Sequence, residues 1–154
     1  MDLAKFCGAG KLALPFTRGA YTWATDGRLM VRVPADAGIP DNPAAPDAAK
    51  VFGREWAPGE WLPVPFATPP DSEECAYCHG DGVRECDMGH QHDCDYCDGT
   101  GKVTPIETIT VGNAHYQRRY LALIQGWEIS PRGMDKPACI RCGETVGLLM
   151  PCRP

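Results

Sequence analysis

The chain has 154 residues, enough for one domain of ordinary size, and 44% of them are apolar, enough to build a core. Its 15 prolines and 17 glycines argue against a bundle of long helices and for turns, short strands and loops. Net charge is −5 and unevenly spread: residues 71–105 hold nine acidic and two basic residues, a net of −7, while the remainder holds eleven acidic and thirteen basic, a net of +2. An acidic segment of that kind is a poor surface for phosphate contact, and the rest is only weakly basic.

Nine cysteines, an odd count with tight CxxC pairs, fit metal binding in a reducing compartment better than a disulfide framework. No apolar run is long enough to cross a membrane. The N-terminal MDLAKFCGAGKLALPF lacks a basic stretch followed by an unbroken apolar one, so no secretory signal is read there. These features lead to the expectation of a soluble cytoplasmic protein with no membrane contact.

In chain order, residues 1–33 read as short strands. Ala20 to Thr25 and Arg28 to Val33 flank Asp26-Gly27, a hairpin signal, with a type I′ turn in which both central residues take positive φ. Asp26 and Gly27 therefore read as structural. Residues 34–47 form a Pro- and Ala-rich connector, and 48–56 a short helical turn. Residues 58–70 suit an edge strand or an extended segment anchored by Trp61, Leu62, Val64 and Phe66.

Beyond the cysteines, Val103 to Val111 reads as a strand. Gly112-Asn113 then reads as the start of a helix over about Ala114 to Gln125, with Asn113 as N-cap and Gly126 as the stop. Tyr116, Tyr120, Leu123 and Ile124 share one face of it; His115, Arg118 and Arg119 lie off that face. Trp127 to Ser130 is a strand and Pro131 to Pro137 a loop. Ala138 to Cys142, Gly143-Glu144 and Thr145 to Cys152 make a final hairpin. Cys7 and Cys152 read as buried small apolar residues.

CAYCHGDG at 75–82 and CDYCDGTG at 94–101 are two copies of one CxxCxGxG pattern, with fifteen residues between Cys78 and Cys94. Two CxxC turns bring four thiolates to one ion, because each turn lets two sulfurs reach the metal while backbone N–H groups point at them. Cys75, Cys78, Cys94 and Cys97 are thus the ligands of a structural zinc ion. Four thiolates close the shell and leave no position for water or substrate. A redox-active dithiol or a disulfide pair is the alternative. The segment carries so little apolar side chain that coordination must supply much of its folding free energy. Between the pairs, Cys86, His90 and His92, with His79, either hold a second zinc or sit near the first.

The repeat resembles the cysteine-rich zinc domain of DnaJ chaperones over residues 75–101. Here Cys86, His90 and His92 stand where that domain has its two middle repeats. The J-domain signature is absent, and no chaperone role is carried over.

Outside this segment, WATDGRLMVRVP at 23–34, ITVGNAHYQRRYLALI at 109–124 and GLLMPCRP at 147–154 resemble, in that order, a hairpin, a strand-to-helix passage and the terminal strand of bacterial DNA sliding clamps. The resemblance implies an α+β fold, a small clamp-like sheet with one main helix, interrupted by the zinc loop. The division is then 1–70 for the N-terminal clamp-like part with its connector, 71–105 for the inserted zinc loop and 106–154 for the C-terminal half-domain. It also puts Cys139 and Cys142 in a strand, where residues three apart point to opposite faces and do not share an ion; the alternative is a site completed by Cys86 and a histidine. In a sliding clamp the helix faces DNA, which makes Arg118 and Arg119 candidates for phosphate contact, against an ordinary solvated face.

No nucleophile–base pair, phosphate loop or open metal motif is present, so the chain reads as non-enzymatic. One function class is a zinc-binding protein that engages a protein partner. Its compact form would fit a phage-encoded accessory or inhibitor of host replication or defence machinery, anti-CRISPR-like inhibition included. The other is a clamp-like DNA-binding processivity or repair accessory, a homo-oligomer with salt-sensitive DNA affinity.

Overall fold

The computed structural model describes residues 1–153; Pro154, the last residue of the GLLMPCRP run, lies outside the described residues. The chain opens with two single 3-10 turns, Ala4–Phe6 and Gly10–Leu12, where strands were expected. Each closes on its own carbonyl, Cys7 N–H on Ala4 and Ala13 N–H on Gly10, so neither segment is extended for pairing. The first turn drops Phe6 into the core.

Strands β1 (Phe16–Arg18), β2 (Tyr21–Thr25) and β3 (Leu29–Pro34) form an antiparallel meander. The Asp26-Gly27 pair does join β2 to β3, but three residues, Asp26 to Arg28, separate the strands, Thr25 faces Met30, and only Gly27 takes positive φ, 92°. Asp26 replaces the type I′ geometry with its side chain: Oδ1 accepts the N–H groups of Arg28 and Leu29, each at 2.8 Å. This is the local aspartate turn chemistry that competes with a tight hairpin.

Helix α1 (Ala48–Glu55) follows the connector, capped by Asp47, whose side chain accepts from the Lys50 N–H at 3.1 Å. Strand β4 (Leu62–Pro63) lies at a sheet edge, where a proline costs no ladder bond. Val64 is buried beside it, but Phe66, expected as an anchor, is 83% exposed. Residues 73–103 then leave the sheet and form two small ribbons of their own, β5 (Glu73–Glu74) with β8 (Lys102–Val103) and β6 (Val83–Glu85) with β7 (Gln91–Asp93).

The chain returns at β9 (Thr108–Val111), separate from β8 rather than continuous with it. The helix expected over 114–125 is largely absent. Ala114–Gln117 is strand β10, paired back on β9 with Val111 facing Ala114. Gly112, at φ 60°, makes Gly112-Asn113 a two-residue hairpin turn, so Asn113 is a turn residue and not a helix cap. Only Arg118–Leu123 is helical (α2), with Gln117 at its start, and the longer helix is α1. Strands β11 (Glu128–Ser130), β12 (Ala138–Cys142) and β13 (Thr145–Leu149) complete the fold, the last two as the expected hairpin over Gly143-Glu144.

The architecture is α+β, around a seven-stranded antiparallel sheet in the order β1-β2-β3-β13-β12-β11-β4. Pairing of β13 with β3 joins the two ends of the chain. Gly147 permits it: a Cβ there would fall on the Met30 carbonyl and against Ile140. Alternating side chains bury both faces. Ala24, Val31, Ile140 and Leu149 pack with the β9–β10 hairpin and α2, whereas Trp23, Cys139 and Leu148 pack with Phe52 of α1. On the second face Arg32 lies 4.0 Å from the ring centroids of both Tyr21 and Phe52. Cys139 is buried and Cys142 exposed, as the strand reading requires. Cys7 and Cys152 are half-buried.

Asp26 also ties the β2–β3 turn to α2, because its Oδ2 accepts the Tyr120 hydroxyl at 2.5 Å. Burial, and then this bond, push the Tyr120 hydroxyl up to about 12. Asp26→Ala strands two backbone donors and a phenol at once. We expect a loss of about 2 kcal/mol in urea unfolding; a change below about 0.5 kcal/mol would show that the turn is not anchored by this carboxylate.

Candidate metal centre

The four cysteines chosen by spacing meet in space. Their Sγ atoms all lie within 4.8 Å of one another and all four side chains are buried. The Cys75–Cys94 and Cys78–Cys97 sulfurs are 3.9 and 3.7 Å apart. A tetrahedron with metal–sulfur bonds of about 2.3 Å has edges of about 3.8 Å. The Cys75–Cys94 and Cys78–Cys97 pairs are therefore too far apart for disulfides and match the edge of such a tetrahedron.

The repeated sequence explains the convergence. In each copy the residue after the second cysteine, His79 or Asp98, takes positive φ, 52° and 50°, and the glycines that follow do the same. The chain thus curls around its own sulfur, and the Gly82 and Gly101 N–H groups donate to Cys78 Sγ and Cys97 Sγ, each at 3.2 Å. Such bonds stabilise thiolate over thiol. The copies also interlock: Cys75 N–H donates to the Gly101 carbonyl and Cys94 N–H to the Gly82 carbonyl. A Cβ at Gly82 would fall on the Gly99 carbonyl, and one at Gly101 on the Gly80 carbonyl. The glycines are required by the crossing of two backbones as well as by φ.

The thiols perturb one another. Burial raises the Cys75 thiol, but the N–H groups of Cys78 and Tyr77 and the neighbouring thiols outweigh it and bring it down to about 7. Cys78 is pushed up to about 11, by burial first and by the other sulfurs. Four sulfurs in contact do not share four negative charges unaided, and a divalent cation at their centre would offset that repulsion. Apart from these cysteines, the buried cluster of the segment has only Val103 packed against it.

Among the described residues no other group of three or more histidine, cysteine or acidic side chains converges as these four do. Cys86, His90 and His92 lie on the outer ribbon, away from the four-sulfur group. Cys86 and His90 flank its turn, with Cys86 N–H donating to the His90 carbonyl, and both histidines are exposed. His79 serves the curl of the first knuckle. Cys139 and Cys142 stay in β12, on opposite faces.

Arg118 and Arg119, at the start of α2, are engaged within the protein. Arg118 donates to Glu107 and to Thr68, both at 2.5 Å, and Arg119 donates to the Tyr120 hydroxyl at 2.8 Å. One feature of the centre was not singled out from the sequence. Tyr77 and Tyr96, each third in its CxYC copy, form an exposed pair with ring centroids 4.2 Å apart. Alignment of the two copies shows the shared Tyr position, and the crossing of the knuckles brings the two rings together.

Comparison with protein families, with curated proteins and with solved structures finds no match to this chain.

Gly101→Ala tests the crossing. We expect metal affinity to fall by at least about tenfold, on the scale of a lost supporting contact, with the seven-stranded sheet retained by hydrogen exchange. Unchanged affinity would show that the two copies do not depend on close approach.

Proposed function

We propose that the chain is a non-enzymatic zinc-binding protein, in which one zinc ion held by Cys75, Cys78, Cys94 and Cys97 orders residues 71–105 as a contact surface for a protein partner. The observation that carries this reading is the set of four buried sulfurs within 4.8 Å of one another, two of whose edges match a tetrahedron. All-thiolate tetrahedral sets suit zinc, and a shell with four protein ligands is structural. Cys86, His90 and His92 are neighbours in this account.

What the metal orders is surface. Nearly every residue between the cysteines is exposed, and the segment has a net charge of −7. Such a surface favours a partner with a basic face and steers its approach. Proteins of nucleic-acid metabolism carry basic faces of that kind, which fits an accessory or inhibitor acting on one of them. Phosphate contact is less well supported, since Arg118 is paired with Glu107 and Arg119 leans on Tyr120.

The test is affinity capture with the whole metal-loaded chain, with the chelated chain, and with a variant whose residues 71–105 are replaced by a short Gly-Ser linker. We expect a protein partner retained by the first alone and released by salt. Retention of nothing, or equal retention by the linker variant, removes the reading. A ring-sized assembly with salt-sensitive DNA affinity would replace it with the clamp-like one.

A further inference from the structure

The Tyr77–Tyr96 pair touches across the two knuckles yet stays in water. The rings are 56% and 60% exposed, inclined at 36°, and neither belongs to the buried cluster of the segment, which is made of sulfur. Two large aromatic faces left in water on a segment with so little apolar matter are an unused recognition surface. Their backbone is fixed by the CxYC turns, so little ordering is needed when a ligand meets them.

Charge narrows the ligand. The rings stand in the segment with nine carboxylates and two cations. Asp95 directly precedes Tyr96, and Glu74 packs over Gly80, which closes the turn after Tyr77. An aromatic face attracts a cation through its quadrupole, and surrounding carboxylates strengthen the preference. The protein itself displays this chemistry. Arg84 lies 6.0 Å from the Tyr77 centroid, at the outer limit of such contact, and Arg141 lies 4.1 Å over Trp61 while paired with Glu128. Among the described residues no Lys or Arg lies over Tyr96.

We propose that Tyr77 and Tyr96 form the recognition site of the metal-ordered segment, and that it takes a Lys- or Arg-bearing peptide segment of a protein partner. The inference rests on the protein-binding reading above and specifies its contact. The cationic head group lies over the tyrosine faces, and the carboxylates of the segment hold the flanking positive charges.

The experiment titrates the zinc-loaded whole chain with fluorescent ten-residue peptides, one alternating Arg and Gly and one alternating Glu and Gly, at about 0.15 M salt so that long-range attraction is screened. The basic peptide is expected to bind and the acidic one to fail. The Tyr77→Ala/Tyr96→Ala double variant should bind the basic peptide about tenfold more weakly, with unchanged metal content. Tyr77→Phe/Tyr96→Phe, which keeps both rings, should retain most of the affinity. Ring-proton resonances of both tyrosines should shift during the wild-type titration.

Equal binding by the alanine variant, or no shift of those resonances, overturns the proposal, because attraction then comes from charge alone. So does tighter binding of single-stranded oligo-dT through the same rings. Metal-dependent capture of a partner that survives the alanine substitutions would leave the protein-binding reading standing and remove only this assignment.

Discussion

Four sulfurs drawn within 4.8 Å of one another are the constraint on which residues 71–105 depend. Little else in that stretch is buried to hold it. Its ribbons are two or three residues long, and its buried matter is the sulfurs themselves. Hairpins of that size are marginal in water without a packed face. Four thiolates at that spacing repel one another, and a cation at their centre would offset the repulsion.

The sheet makes such a stretch tolerable. Strand β13 lies between β3 and β12, so the two ends of the chain are bound together by backbone ladders before and after the excursion. The chain leaves just past the edge strand β4, where Ala67 is still buried and Thr68 still accepts from Arg118, and re-enters at β9. Closure of a loop between two fixed ends grows only slowly in cost with length. A segment with almost no core of its own can thus be carried without weakening the sheet. Its acidic residues and the Tyr77 and Tyr96 rings stay exposed.

The meeting of the four cysteines was legible in the sequence because their pattern is written twice at fixed spacing, and so were the hairpins at Asp26-Gly27 and Gly143-Glu144. Gly112-Asn113 is the instructive miss. It is a Gly-X pair between two apolar runs, the same signal as Gly143-Glu144, and it makes the same turn. The helical spacing of Tyr116, Tyr120 and Ile124 masked it, since a strand followed by one helical turn places those side chains in the same core. Phe66 was read as buried from its type alone, though it sits where the chain turns away from the sheet. The facing of Tyr77 on Tyr96 needed a tertiary fact, the crossing of the two knuckles, which no local pattern supplies.

A native mass spectrum of the chain purified without added metal, repeated after acid denaturation, tests the central claim most directly. The account predicts a native mass heavier by one zinc ion per chain, lost in acid, and a Cys75→Ser/Cys94→Ser variant that carries none. A metal-free native mass with residues 71–105 still protected from hydrogen exchange would contradict it, as would zinc retained by the double variant.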